Sequence, residues 1–260
     1  SITRNCLVKL VYVLQIKALA MTSNTPIRQQ YLSIKEQHQD AILLFRMGDF
    51  YETFDQDAEI ASRELEIVLT SREMGKGNHV PLAGIPYHAL DNYLPRLIRK
   101  GYRVAICEQV ANAPDNGLVK REVVRVISPG TLTEPALLDQ SANNYLASVY
   151  IEGNLAGFSF VDISTSEFVT SQITLTELEL ELERLGPSEV LIQKNQCSQF
   201  DYTKLLITCV DDQFFDLGSS YDKLSNHFGV TTLQAYGCED LHLAIQSAGA
   251  IICFLTKTQN

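Results

Sequence analysis

The residues whose types and spacing could do chemistry lie in one stretch, Phe45-Arg46-Met47-Gly48-Asp49-Phe50-Tyr51-Glu52-Thr53-Phe54. An aromatic ring stands two positions before a carboxylate, just after a Gly-Asp turn signal. Extended chain alternates its side chains, so Phe50 and Glu52 share one face and Tyr51 takes the other. An ionised carboxylate only accepts hydrogen bonds. The local pattern equally permits a plain reading. Phe50 would then pack with Phe45 and Phe54, and Glu52 would meet water, because aromatic residues are mostly buried.

A second set of acidic residues could carry different chemistry. Asp162 lies in an apolar, strand-like run and Asp211-Asp212 end another. Clustered carboxylates on a ribonuclease-H-like sheet can hold two divalent ions. A metal-dependent nuclease is therefore an alternative reading. Against it, a two-metal site draws on more carboxylates from several elements, and Asp is a good turn former at these positions. Other motifs are missing. There is no GxxxxGK[ST] phosphate loop and no GxGxxG after a strand, and Gly75-Lys76-Gly77 has neither spacing. There is no GxSxG and no HExxH. The five histidines, His38, His79, His88, His227 and His242, are scattered. The sequence predicts no nucleotide site, no metal site and no nucleophile, so this chain is not expected to be an enzyme.

The elements that must position the Phe50–Glu52 stretch follow from punctuation and periodicity. Thr25-Pro26 reads as an N-cap with Pro at N1, opening a helix to about Gln39. Ala41–Phe45 is a short buried strand. Gly48-Asp49 turns the chain, and Phe50–Phe54 continues extended. Asp57 reads as the cap of a helix to about Leu65, with Glu66–Thr70 returning as a strand. Residues 74–79 form a hairpin loop before the strand Pro81–Ile85. His88–Lys100 carries Tyr93, Leu94, Leu97 and Ile98 at helical spacing. Tyr102–Val110 and Glu122–Ile127 are β-like, and Ser128-Pro129-Gly130-Thr131 breaks the pattern.

A second unit starts near Ser141. Asn144–Tyr150 and Leu155–Ser164 are strands joined by Glu152-Gly153-Asn154, a hairpin signature. Glu167–Ile173 is a third strand, Leu175–Leu185 an acidic helix, and Glu189–Gln193 and Leu205–Val210 further strands. Tyr221–Phe228 and Glu239–Thr256 read as helices. Three antiparallel strands, a helix, then a strand suggest a ribonuclease-H-like arrangement. The fold class is α/β, in two domains. The final helix has no stop signal, which reads as a piece of a longer protein. Residues 1–20, before Met21, read as upstream sequence, with a weak likeness to a signal peptide.

Composition narrows the function classes. The chain has 260 residues, 45% of them hydrophobic, with 14 Gly and 8 Pro. That excludes a mostly disordered, collagenous or coiled-coil chain. No apolar run approaches the ~18 residues of a membrane span. The net charge of -10 argues against a general nucleic-acid binder. Its distribution is uneven, however. Residues 21–133 hold 13 basic and 14 acidic side chains, while residues 134–260 hold 5 and 17. The two parts should therefore have different partners. Glu177, Glu179, Glu181 and Glu183 form a charge run best read as a solvated helix face. The six cysteines include no CxxC, and several sit in apolar runs; they read as reduced core residues of an intracellular protein.

Beyond local pattern, the Phe45–Phe54 stretch resembles the mismatch-recognition domain of the MutS family of DNA mismatch-repair proteins. The match continues through Leu69-Thr70-Ser71-Arg72, Pro81–Ala89, Val104–Gln109 and Val123–Thr131. The resemblance implies a mismatch-recognition domain over residues 21–140 and a connector domain over 141–250, with 251–260 beginning the core and lever region. The family's clamp and ATPase domains have no counterpart in this sequence. ATP and magnesium are therefore implied for the full-length family only, with no cofactor in this chain. The implied partners are mismatched double-stranded DNA, MutL through the connector, and a second copy in the full-length homodimer. The implied location is cytoplasmic and nucleoid-associated.

The resemblance assigns Phe50 as the ring inserted beside a mispaired base and Glu52 as its hydrogen-bonding partner. An aromatic wedge unstacks a base step and kinks the duplex, at least cost where pairing is already damaged. Purine N7 is an acceptor. Glu52 must then meet a base N–H donor or, if protonated, N7; in the protonated case Glu52→Gln would keep or tighten binding. Arg46, Arg72, Lys76, Arg96 and Arg99, with Lys100 and Arg103, are the cations expected to contact phosphates. His88 also matches the family and reads as a structural helix-start residue. A third reading is a protein-interaction fragment whose DNA-reading loop is vestigial.

Overall fold

Thr25 accepts a hydrogen bond from the Arg28 N–H and Pro26 occupies the first turn, so helix α1 runs Pro26–Gln37. The computed structural model describes residues 25–75, 77–110, 119–132, 143–200 and 205–258. The reading of residues 1–20 and the position of Lys76 lie outside them. The chain divides into two compact units. One holds the residues up to Leu97 with Val104–Val124, and the other Ile98–Arg103 with the residues from Arg125 onward.

A six-stranded sheet holds β1 (Ala41–Met47), β2 (Phe50–Phe54), β3 (Thr70–Glu73), β4 (His79–Pro86), β5 (Arg103–Gln109) and β6 (Arg121–Ile127) in the order β3-β4-β2-β1-β5-β6, and apart from Arg103 and Arg125–Ile127 these strands belong to the first unit. Gly48 adopts φ +59, a conformation that costs other residues a steric penalty, and closes the β1–β2 hairpin with Phe45 opposite Glu52 and Met47 opposite Phe50. Helix α2 spans Asp55–Leu65 and α3 spans Leu90–Ile98, the latter entered through a 3-10 turn over Tyr87–Ala89.

Asp57 does not cap α2, which begins two residues earlier. Its buried carboxylate instead accepts from the Leu43 N–H (3.0 Å), Lys35 Nζ (2.9 Å) and the Tyr31 hydroxyl (3.4 Å). Strand β1, α1 and α2 are thus tied through one side chain. The third strand also lies later than its apolar residues suggest. Val68 and Leu69 are exposed, and pairing starts at Thr70.

The second unit carries β7 (Tyr145–Glu152), β8 (Leu155–Asp162), β9 (Glu167–Thr174), α4 (Leu175–Leu185), β10 (Glu189–Gln193), β11 (Ile207–Val210), α5 (Leu217–Phe228) and α6 (His242–Thr258). The sheet order is β11-β10-β7-β8-β9, with β7, β8 and β9 antiparallel and β10 and β11 parallel to β7. This is the ribonuclease-H-like order. Both faces are covered, so β10 is apolar at successive residues rather than alternate ones. Leu191 packs with Leu146, Ile251 and Phe254 on one side, and Val190 and Ile192 pack with Leu178 and Leu182 on the other. Ile251 and Phe254 belong to this core, and α6 runs unbroken past residue 250.

The Ser128–Thr131 break is a 3-10 turn built around a buried carboxylate. Glu189 accepts from the Ser128 hydroxyl, the Gly130 N–H (3.1 Å) and the Thr208 hydroxyl (2.7 Å). A Cβ on Gly130 would lie 2.8 Å from Leu146 Cδ1 and 2.9 Å from Glu189 Cβ, so only glycine fits against β7 and β10 there.

The cysteine reading needs one correction. Cys197 and Cys209 form a disulfide, with Cα atoms 6.1 Å apart. The turn after β10 folds back beside β11, which places together two residues whose spacing carries no pairing signal. Cys107, Cys238 and Cys253 are buried free thiols, as their apolar neighbours suggest. Burial pushes the Cys107 thiol up to about 12.

Candidate nucleic-acid interface

The β1–β2 hairpin sorts the motif by strand alternation. Phe50, Glu52 and Phe54 fall on one face of β2, and Tyr51 and Thr53 on the other. Helix α1 covers the far end of the first face. The Tyr31 ring meets Phe54 edge-on at 4.8 Å and Phe45 at 5.5 Å, and both phenylalanines are buried. Phe50 lies beyond this cover, beside the turn, and keeps 46% of its surface exposed. The plain reading, in which Phe50 joins Phe45 and Phe54 in the core, therefore fails at its central residue.

Glu52 is not simply solvated either. Across β4, Arg72 of β3 sends its guanidinium to both carboxylate oxygens, with Nη2 at 2.8 Å from Oε1 and Nη1 on Oε2. The β4 residue opposite Glu52 is Gly84, where a Cβ would lie 3.1 Å from the Tyr51 carbonyl oxygen and 3.6 Å from Glu52 Cγ, while Arg72 itself pairs with Val80. The Glu52 side chain is 12% exposed and that of Arg72 40%. An exposed ring and a shielded carboxylate thus stand two residues apart on one strand face.

The opposite face braces the hairpin. The Tyr51 hydroxyl donates to Glu108 of β5. Burial, then this bond and the Glu108 charge, push Tyr51 up to about 12. Arg46 donates from Nε to the Gly48 carbonyl at 2.6 Å and places its guanidinium 3.8 Å from the centre of the Tyr87 ring. Arg46 also lies 3.9 Å from Glu108. These interactions fix the turn that carries Phe50.

The remaining expected cations are distributed differently. Arg96 donates to the Glu64 carbonyl (3.4 Å) and to Glu66 (3.3 Å), near the end of α2. Arg99 is exposed just past α3, in the second unit. Arg103 places its guanidinium 5.3 Å from the Phe254 ring centre in that same unit. His88 is exposed in the 3-10 turn that starts α3, its ring edge-on to Tyr87. Of the expected site residues, the structure brings together Phe50, Glu52 and Arg72, and sets Arg46 behind them.

Sequence reasoning missed Arg121. It is buried, donates to the Arg46 carbonyl (2.6 Å), the Val119 carbonyl (2.9 Å) and Gln30 (3.1 Å), and lies 5.0 Å from the Phe45 ring centre. Burial lowers its pKa, while the charge of Glu52 favours its protonated form. A basic residue opening a short strand gives no local sign of such a role.

The acidic residues of the alternative reading are occupied or exposed. Asp162 is fully buried and accepts from the Ser164 N–H (2.9 Å), the Ser164 hydroxyl (2.6 Å), the Thr165 N–H (3.3 Å) and the Asn144 N–H (3.2 Å). Burial opposes its ionisation, but these hydrogen bonds outweigh it and hold the pKa below the ordinary carboxylate value. Asp211 and Asp212 are exposed, with Asp211 3.6 Å from Lys194. Among the described residues, no three His, Cys, Asp or Glu side chains converge to hold a metal ion. On α4, Glu177, Glu179 and Glu183 are exposed; Glu177 completes a capping box with Thr174, and Glu181 pairs with Arg184. No helix of the described residues is long and apolar enough to cross a membrane.

The sequence matches a known family along most of its length. Residues 25–136 match the family model of MutS domain I, and residues 144–260 that of MutS domain II. DNA mismatch repair protein MutS of Dehalococcoides mccartyi strain CBDB1 is 53% identical over 241 residues, which is 92% of this chain and 28% of the relative. The proteins of the same name from Symbiobacterium thermophilum and Methanococcoides burtonii are 46% and 44% identical over 90% and 92% of the chain, again 28% of each relative. The chain thus spans little more than a quarter of the length of these relatives. With MutS domains I and II matched in order along most of its length, the chain belongs to the MutS family.

Proposed function

We propose that this chain is a mismatched-DNA-binding module acting in DNA mismatch repair. The observation that carries the reading is the exposed ring of Phe50, held by a braced hairpin with the Glu52 carboxylate on the same strand face. A ring in that position stacks on any base, which is worth ~1–3 kcal/mol without sequence preference. Wedging is cheapest at a step whose pairing is already broken. The module reads deformability, which suits a sensor for many different mismatches. Glu52 adds a hydrogen-bond acceptor for a base N–H.

The recognition domain ends near residue 140 in this proposal, and the connector domain follows. The connector's acidic surface fits a protein partner better than DNA, and we assign it to MutL. Homodimerisation and ATP-driven switching belong to the full-length family; no residue here is assigned to ATP or magnesium. The proposed location is the cytoplasm, on the nucleoid.

The test is competition binding at low salt, comparing a duplex containing one G·T pair with its matched counterpart. The chain is expected to prefer the mismatch, and Phe50→Ala to erase the preference. A preference that survives Phe50→Ala would overturn the wedge. Loss of all mismatch preference in a folded chain that still binds a protein partner would favour the interaction-fragment reading.

A further inference from the structure

We infer that Arg72 is the positioning residue of the mismatch reader and not one of its phosphate ligands; this rests on the proposed role of Glu52. Arg72 sits where family likeness and charge suggest a hand on the DNA backbone. The structure gives its guanidinium a different task. Two of its N–H groups meet the two oxygens of Glu52 in a fork, with the Glu52 side chain only 12% exposed. Charge-assisted bidentate pairs of this kind fix geometry as well as charge.

Three consequences follow for the chemistry of the site. First, the fork sets the plane and direction of the carboxylate. Glu52 has three rotatable side-chain bonds, and the tether across β4 holds it relative to the strand that carries the Phe50 ring. Second, the guanidinium cancels the Glu52 charge locally, so the acceptor can approach a polyanion. Third, the fork selects how Glu52 meets a base. An ionised carboxylate offers about four lone-pair sites. Arg72 takes one on each oxygen and leaves the others for an N–H donor. A proton on the carboxyl would remove the charge that strengthens both Arg72 bonds, so an N–H donor replaces purine N7 as the expected partner on the base.

The two roles of Arg72 separate cleanly by experiment. If Arg72 held a phosphate, its removal would weaken binding to all duplexes alike and lower the slope of log K against log salt by ~0.9. A positioning residue leaves that slope in place and, when removed, lowers the ratio of mismatch to matched affinity. The measurement is binding of G·T and matched duplexes across a salt series, for the chain, Arg72→Ala, Arg72→Lys, Glu52→Gln and the Arg72→Ala/Glu52→Gln double variant. Arg72→Ala is expected to reduce discrimination roughly fivefold, in line with loss of a partly exposed charge-assisted pair, with an unchanged salt slope. Arg72→Lys, which cannot form the fork, should recover little of it. Glu52→Gln should reduce discrimination too, and the double variant should be no worse than the poorer single variant. A slope reduced by about one phosphate with the ratio intact would overturn the inference.

A readout without DNA keeps this separate from the wedge proposal. In the free chain the fork should slow rotation of the Arg72 guanidinium, giving resolved terminal N–H resonances that merge in Glu52→Gln. Merged resonances in the unmutated chain would sink the inference, whatever the DNA data show. Resolved resonances with no mismatch preference would instead count against the wedge proposal alone.

Discussion

Three phenylalanines share one ten-residue stretch, and the structure buries two of them and exposes the third. Phe45 and Phe54 are 0% and 1% exposed and are clamped by the Tyr31 ring. Truncating either to Ala removes a fully packed ring and leaves a cavity, at a cost of about 3–5 kcal/mol. Phe50 keeps 46% of its surface in water. Full burial of such a side chain is worth ~1.5–3 kcal/mol, so roughly half that, about 1 kcal/mol, is lost in Phe50→Ala, with no closed cavity. On the proposed reading the order should invert on DNA, because base stacking at ~1–3 kcal/mol per ring would then depend on Phe50.

The assay is amide hydrogen exchange of β1 and β2, which reports the opening free energy of the first unit separately from the second. It is paired with duplex binding for each variant. Phe50→Ala should leave protection nearly intact and weaken mismatch binding by about tenfold, the middle of the stacking range. Phe45→Ala should lose most of its protection. A Phe50→Ala variant as exchange-labile as Phe45→Ala would refute the assignment, since the ring would then be a core residue in solution.

Other perturbations test the scaffold. Glu189→Ala would strip the shared acceptor from Ser128, Gly130 and Thr208, and should destabilise the second unit by about 3 kcal/mol or more in urea titration. A loss under about 1 kcal/mol would mean the turn finds other partners. The Asp162 pKa is depressed in the fold, so its contribution is fully present above the unfolded value of ~4 and is lost as pH falls through the lower folded value. Acid titration should therefore show less loss below pH ~4 in Asp162→Asn, which starts from a lower plateau. Magnesium should stabilise neither form, and a magnesium-dependent rise abolished by Asp162→Asn would revive the nuclease. Alkylation without reductant should spare Cys197 and Cys209, and labelling of both in the native chain would contradict their pairing.

Much of this architecture is legible in sequence, because the signals are local. Thr25-Pro26 starts a helix and Gly48-Asp49 turns a hairpin where their chemistry dictates. The unbroken apolar residues of β10 announce a strand buried on both faces. What escapes a sequence reading depends on interactions across the fold. Asp57 looks like a cap because Asp is a good one, yet three partners from other elements draw it inward. Glu66–Thr70 has β-forming residues, but pairing with β4 fixes the strand at Thr70 instead.

The same division runs through the site. Phe50 and Glu52 are marked by spacing and by family likeness, yet spacing alone does not tell a wedge from a core residue. Exposure rules out the core placement, and exposure is set by where α1 stops covering the sheet. Arg72 reads as a cation and therefore as a phosphate ligand, because charge is visible in sequence and geometry is not. Its reach to Glu52 depends on three strands in register. A charged residue beside a recognition motif has two ways to serve an anionic ligand. It can touch the ligand, or it can cancel the charge of the residue that does. The second way adds nothing to the salt dependence of binding and everything to its selectivity, which is why the salt slope, and not the affinity, is the quantity that decides between them.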